Sequence, residues 1–417
     1  MIVRKESNII RHFLVAFATA LLLLVALSAN AQDEAAAKTD AEDKPTVVWG
    51  GVSLASYANT PEEQRKAMPV IGEMLMCKNT AEGCGGVDVN AVALKALGNR
   101  QFRDFNVKVG NVSVNQVQGY IVTPVITSEA VVEAFEGKSV GYSYSFRIFG
   151  NLMILQFLPG EVKYVAAAPF ILNHFDIQPR RLNAKQKNDV FRSLYLNNQL
   201  GVNYFNKLFE SAKKRLRINE TEHNYVQVNE VELAPEVRDV LTKSHGADSW
   251  KQQIANFFEA QLAEVTGSPI LPSALGQQTT QQLKIVFRNG ATKLVVPPAG
   301  YGIGLFVERF LRHEMKSSYA NERIVCFMVA LSVKVTDPYE DQIGNLRFTR
   351  KQDSCGATEL GTTRDGSMYF PESMYSLLYR IAQQFGGDVD AKFMRRNIEN
   401  PKQATTKVRS LSKVMFN

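Results

Sequence analysis

Two glycine-rich motifs are the first residues in this chain whose types and spacing could support chemistry. Gly300, Gly302 and Gly304 lie between a predicted strand and a predicted helix, where bare backbone N–H groups at a helix N-terminus would bind a phosphate. The spacing is GxGxG rather than GxGxxG, and no Lys-Ser/Thr pair follows it. The sequence therefore favours a tight connection over a nucleotide site, and no cofactor is predicted.

The second motif has the GxSxG pattern of a serine-hydrolase nucleophile elbow. It comprises Gly137, Ser139 and Gly141. An elbow needs a strand before the serine and a helix after it. Residues 129–135 are predicted to be helical and a strand is predicted from Tyr142, so the order is reversed. We predict a glycine-flanked turn, although a catalytic triad assembled from distant residues stays open.

Metal ligands are sparse. The candidates are the four of the five histidines that follow residue 31 and one short acidic loop: His174, His223, His245, His313, Asp337, Glu340 and Asp341. The histidines lack the short spacings of zinc sites, and the acidic loop lacks a calcium-binding repeat. An Asp-Pro pair begins the loop, which favours a solvated turn. We predict no metal site and no catalytic residue, so an enzyme is not favoured.

The first 31 residues predict where the protein is located. A basic start precedes an apolar run over residues 13–27, and Ala29-Asn30-Ala31 supplies the small residues that signal peptidase accepts. We predict a signal peptide cleaved near Ala31 and a periplasmic or secreted location, with a retained anchor helix as the alternative. The style of the leader is bacterial. In a eukaryotic source, Asn111 and Asn219 would be glycan acceptors.

All four cysteines follow this leader, and an oxidising compartment favours disulfides. Cys77 and Cys84 flank a short polar segment that closes easily into a loop. We therefore predict the pairs Cys77–Cys84 and Cys326–Cys355.

The positive charge is concentrated at the C-terminus. The chain has a formal net charge of +7, and residues 391–417 hold seven basic residues against one acidic residue. Apolar residues are interspersed with them, which suits an envelope protein or an anionic surface as partner; the leader argues against nucleic acid. The alternative is a solvated disordered end. The predicted partner-binding residues are Lys392, Arg395, Arg396, Lys407, Arg409 and Lys413.

The elements that position these residues indicate an α+β fold of antiparallel β meanders with packed helices, in two modules. The predicted divisions are a signal peptide (1–31), an acidic flexible linker (32–46), an N-terminal α+β module (47–235), a helix and linker (236–282), a C-terminal α+β module (283–390) and a basic tail (391–417).

Several element predictions are specific enough to test. They are a three-stranded meander over 142–171 with turns at Gly150-Asn151 and Pro159-Gly160, helices over 184–216 broken at Gly201, a helix capped by Asp248-Ser249 that ends at Gly267, a hairpin at Asn289-Gly290, and a helix over 303–317.

The sequence thus favours a secreted, envelope-associated binding or assembly protein that acts through protein–protein contacts. Two alternatives remain open, a secreted hydrolase with a spatially assembled site and a periplasmic small-ligand or glycan binder. The oligomeric state is left open.

Overall fold

The structure is a computed structural model. It describes residues 44–56, 67–76, 88–110, 119–137, 140–159, 161–196, 200–218, 225–242, 246–273, 282–288, 290–319, 322–339, 341–350, 355–359 and 366–416. The predicted signal peptide and nearly all of the predicted linker lie outside these residues. No helix in the described part of the chain is long and apolar enough to cross a membrane.

The described strands are, in chain order, β1 (Thr46–Trp49), β2 (Ser53–Ser56), β3 (Asn106–Lys108), β4 (Gly119–Gly137), β5 (Gly141–Leu158), β6 (Glu161–Gln178), β7 (Val226–Leu233), β8 (Ile270–Leu271), β9 (Gln282–Phe287), β10 (Gly290–Val295), β11 (Tyr301–Lys316), β12 (Glu322–Thr336), β13 (Gln342–Arg350) and β14 (Cys355–Glu359).

The described helices are α1 (Pro69–Met76), α2 (Val89–Leu97), α3 (Ala184–Leu196), α4 (Tyr204–Arg215), α5 (Pro235–Leu241), α6 (Ala247–Thr266), α7 (Gly366–Phe385), α8 (Ala391–Asn397) and α9 (Pro401–Phe416). The predicted α+β class is confirmed.

The strands form two mixed sheets. The first has the order β2-β9-β10-β6-β5-β4-β1-β3, and β2 also pairs with β4, which closes six of its strands into a ring. The second has the order β13-β12-β11-β7-β8, with β14 pairing to β12. An apolar cluster drawn from all six strands of the ring fills it.

Two helices, α6 and α7, lie between the sheets. A single apolar cluster contains Trp250 and Phe258 of α6, Leu378 of α7, Leu331 of β12 and Val132 of β4. Helices α1 to α4 cover the other face of the first sheet and form a separate cluster with it. The layers are therefore helices, first sheet, α6 with α7, and second sheet.

The strands do not follow the predicted module boundaries. β7 lies within the predicted N-terminal module but pairs with β11 of the second sheet. The hairpin of β9 and β10 joins the first sheet, although it lies at or beyond the start of the predicted C-terminal module. The boundaries themselves remain a prediction.

The three strands predicted over 142–171 are only two longer antiparallel strands, β5 and β6, because the predicted turn at Gly150-Asn151 is wrong. The third strand of this antiparallel unit is β4, which lies before the predicted range. Both residues lie inside β5, which continues to Leu158. A Cβ at Gly150 would lie 2.6 Å from the carbonyl oxygen of Val125 and against the Tyr204 hydroxyl. Glycine is required there for close packing rather than for a turn.

The helix predicted over residues 129–135 is also wrong, because this segment belongs to β4. Side chains on both faces of residues 129–134 are buried or half-buried, so the polar alternation of a half-exposed strand is missing.

The helix predicted over residues 303–317 is strand β11. Ile303, Leu305 and Val307 face the core in alternation, and a register shift between Val307 and Arg309 turns Phe310 to the same face. The buried residues 303, 307 and 310 consequently show i, i+4, i+7 spacing, which imitates a helix.

Three other element predictions are confirmed. α3 and α4 are separated near Gly201, whose φ is +71°, and α6 ends at Gly267 with a φ of +66°. β9 and β10 form a hairpin at Gly290.

The predicted cap of α6 is wrong, because Gly246 occupies the N-cap and Asp248 lies in the first turn.

One disulfide fixes the end of the second sheet. Cys326 of β12 bonds to Cys355 of β14, as predicted. The second predicted pair, Cys77 and Cys84, lies outside the described residues.

A buried carboxyl group connects β4 to α1. Glu129 is 6% exposed and accepts the backbone N–H groups of Val70 and Ile71 at 2.8 and 2.9 Å. Burial raises the pKa of Glu129 to about 7, against the hydrogen bonds from Val70 and Ile71, which lower it. Below about pH 7 the neutral acid is therefore the favoured form in the folded protein.

We predict that Glu129 makes the protein less stable as pH rises. The unfolded chain loses the proton near its ordinary pKa and the folded chain keeps it until about pH 7, so the free energy of unfolding falls by about 3 kcal/mol between these values. Urea unfolding at pH 5 and pH 8 should show this fall in the native protein and a smaller one in Glu129→Gln. The exposed Glu161→Gln is the control; an equal pH dependence in all three proteins would contradict the prediction.

Candidate functional site

The predicted basic tail is folded. Asp390 caps α8, and its carboxylate accepts the backbone N–H groups of Lys392 and Phe393 at 2.8 and 3.1 Å. The hydrogen bond from Phe393 is the main reason that the pKa of Asp390 is lowered. The alternative of a disordered end is wrong for residues 391–416, which form α8 and α9.

Apolar residues fix these two helices to the second sheet. Met394 is fully buried, and Val408, Leu411 and Met415 form the buried side of α9. Leu411 lies so close to Gly344 of β13 that a Cβ there would be 2.8 Å from its side chain. The charged residues of this segment are therefore held on a rigid support.

The basic side chains lie on the outside of this support. Lys402, Arg409 and Lys413 are spaced i, i+7, i+11, which places them along one exposed stripe of α9, opposite its buried side. On α8, Lys392, Arg395 and Arg396 are exposed. No basic residue of 391–416 forms an ion pair with any described residue. We call the six exposed residues named here the basic surface.

The sequence prediction and this surface differ at two positions. Lys407 was predicted to bind a partner but is half-buried and lies off the stripe. Lys402 was not predicted, although the helical spacing would have indicated it had the segment been interpreted as a helix.

The histidines give no catalytic arrangement within the described residues. His174 lies on β6 with its ring 6.4 Å from that of Phe146, and His313 lies exposed on β11 of the other sheet. His223 and His245 lie outside the described residues. No group of three or more His, Cys, Asp or Glu in the described part could hold a metal ion.

The glycine motifs have structural roles. Gly302 and Gly304 lie inside β11, so the predicted strand-to-helix junction is wrong. A Cβ at Gly302 would lie 2.5 Å from Oγ1 of Thr336 on the neighbouring strand. Gly137 and Gly141 pair across the β4–β5 hairpin, so a strand follows the GxSxG motif where an elbow needs a helix. Ser139 itself lies outside the described residues.

The acidic loop is a turn held by its first residue. Oδ1 of Asp337 accepts the backbone N–H groups of Tyr339 and Asp341 at 2.9 and 3.0 Å. This confirms the predicted turn; Glu340 lies outside the described residues.

A cation that no sequence pattern indicates is buried between the first sheet and α7. Arg147 of β5 is 1% exposed, pairs through Nη2 with Glu372, and lies 4.3 Å from the centre of the Tyr375 ring. Its Nη1 is buried without a hydrogen-bond partner among the described residues. One turn earlier on α7, the hydroxyl of Tyr369 donates to Glu136 of β4. These contacts fix α7 on the first sheet.

α6 carries a second set of buried polar contacts. Asn256 donates to the hydroxyl of Thr127 on β4 at 3.1 Å. Glu259 is 3% exposed, and burial raises its pKa well above the usual range, against hydrogen bonds from Val228 and Ser273. α6 thus makes polar contacts with both sheets, although Oε1 of Gln253 and Oε1 of Glu259 are buried without a hydrogen-bond partner among the described residues.

Comparison with known proteins adds little to this geometry. No protein-family model and no curated protein matches the sequence. Among solved structures, the chain is similar to the crystal structure of a Helicobacter pylori protein named as a neuraminyllactose-binding hemagglutinin homolog, with 13% identity over 42% of this chain and 90% of that chain. The TM-score is 0.24, so this similarity carries no argument about function.

We predict that the two partners of the buried ion pair are unequal in their effect on stability. Glu372→Gln leaves the Arg147 guanidinium buried without a counter-charge and should lower the free energy of unfolding by about 2–3 kcal/mol. Arg147→Met fills a similar volume and leaves Glu372, whose side chain is 36% exposed, to be solvated. This second change should cost about 1 kcal/mol or less. Urea denaturation checks the order, and a larger loss in Arg147→Met would contradict it.

Proposed function

We propose that the protein is an envelope-associated binding or assembly component that works through protein–protein contacts. The observation that supports the proposal is the basic surface, six exposed cations without ion pairs among the described residues, carried by two helices that are packed onto the second sheet.

The rigidity of this surface matters for recognition. Exposed ion pairs contribute at most about 1 kcal/mol each, and part of that is lost when long flexible segments must be ordered. Here the backbone is already helical, and the cations of α9 point the same way. An acidic partner surface would gain several such contacts at once, and the excess charge would speed its association at low salt.

The proposed location rests on two features. The leader over residues 1–31 has the pattern of a signal peptide, and the Cys326–Cys355 disulfide suits an oxidising compartment. Both agree with a periplasmic or secreted protein that meets its partner in the cell envelope.

We predict that charge reversal on α9 abolishes partner capture. The variant Lys402→Glu, Arg409→Glu, Lys413→Glu should reduce the yield of an acidic partner at least tenfold in pull-downs from the native envelope, identified by mass spectrometry. Binding of the native protein should also weaken steeply as salt is raised, because exposed charges are screened.

A matched control is available on α4 and two residues beyond its C-terminal end. Lys207, Lys214 and Arg217 are exposed, and their reversal changes the net charge by the same amount. Equal yields from the α9 variant and the native protein, or equal losses from both variants, would contradict the role of the basic surface.

A further inference from the structure

The first sheet projects beyond its ring and leaves one strand edge open. β5 pairs with β6 along the whole of β6, but β10 pairs with β6 only at Val162 and Lys163. Among the described residues, no strand occupies the outer edge of β6 after that point. From Leu172 to Gln178 every second backbone N–H and C=O group therefore faces outward with no ladder partner in the described chain.

This open edge carries the apolar side chains that an edge strand usually avoids. Phe175 and Ile177 lie on one face and are 55% and 51% exposed. His174 and Asp176 alternate with them on the other face and are half-buried. The segment contains no lysine or proline that would block strand addition; Pro169 lies earlier in β6.

We propose that this edge is a self-association site, at which two copies of the chain pair β6 with β6 in antiparallel orientation about a twofold axis at Phe175. The projecting strands β4, β5 and β6 of the two copies then form one continuous sheet. Phe175 faces Phe175 of the other copy, and each Ile177 faces Asn173 of the other.

The charges select this register. With Phe175 on the axis, His174 of one copy lies opposite Asp176 of the other, twice, and the imidazole N–H can donate to the carboxylate. An axis at Asp176 places two carboxylates opposite each other, and an axis at His174 places Asp176 opposite Leu172. An axis at Asn173 places Asp176 opposite Phe170. An axis at Ile177 places Asp176 opposite Gln178 but Phe175 opposite Pro179. Only an axis at Phe175 both pairs Asp176 with a polar group and brings the two exposed rings together.

The same self-complementarity favours a second copy over a foreign strand. A twofold axis requires one patch to match itself, and the sequence Asn-His-Phe-Asp-Ile does so about its central residue. Cross-strand pairs contribute about 0.2–1 kcal/mol each. The second copy would also bury part of the exposed apolar area of Phe175 and Ile177, which favours association further.

Sedimentation equilibrium of the full mature protein tests the association. We expect a monomer–dimer equilibrium in the micromolar range and a monomer for Phe175→Lys. Tyr339→Lys is the control, since Tyr339 is 85% exposed in a turn of the second sheet and should leave the dimer intact. Far-UV circular dichroism establishes that both variants are folded.

Cysteine cross-linking tests the register independently of charge and size. Phe175→Cys should form a disulfide-linked dimer on a non-reducing gel, because residues directly opposite have Cβ atoms about 5 Å apart. Ile177→Cys should link far more slowly, since its own copy lies about four residues, or about 14 Å, away along the strands. A native protein that stays monomeric at 100 µM, a dimer that survives Phe175→Lys, or equal cross-linking of the two cysteine variants would overturn the proposal.

Discussion

The structure depends on two helices, α6 and α7, that each pack against two sheets and form polar contacts with both. Adjacent residues of α7 show this constraint directly: Glu372 pairs with Arg147 of the first sheet, and Ser373 donates to the carbonyl oxygen of Phe327 in the second sheet at 3.2 Å. α6 does the same with Asn256 and Glu259. These helices are covered by a sheet on each side. A substitution on one face of either helix therefore also affects its packing against the other sheet.

The outer surfaces follow from this arrangement. The second sheet turns one face to α7 and its edge strand β13 to α8 and α9, which holds the basic surface in place. The first sheet is covered by α1 to α4 on one side and by α6 with α7 on the other, but Asn173, Phe175 and Ile177 at the end of β6 remain exposed. The exposed edge at Phe175 exists because β5 and β6 extend beyond the segments that pair within the ring.

Features of the fold that depend on local sequence, such as the ends of helices and a disulfide, could be predicted from the sequence. Gly201 and Gly267 have positive φ values, and the Cys326–Cys355 pair follows from compartment and spacing. The wrong predictions concern segments whose secondary structure is determined by tertiary packing. The register shift after Val307 gives β11 the spacing of a helix, and burial on both faces hides the alternation of β4. Arg147 could not be recognised, because nothing near it in sequence distinguishes a buried arginine from a surface one.

The central claim is that α6 and α7 join the two sheets into one cooperative unit, and the two tryptophans of the chain can test it. Trp49 packs against Phe209 in the cluster under α1 to α4, and Trp250 is buried in α6. The variants Trp49→Phe and Trp250→Phe each leave one fluorescent probe, and urea unfolding can be followed by that probe and by far-UV circular dichroism in the same sample. We predict that the two signals share one midpoint in each variant. Fluorescence transitions separated from the circular dichroism transition would contradict the account.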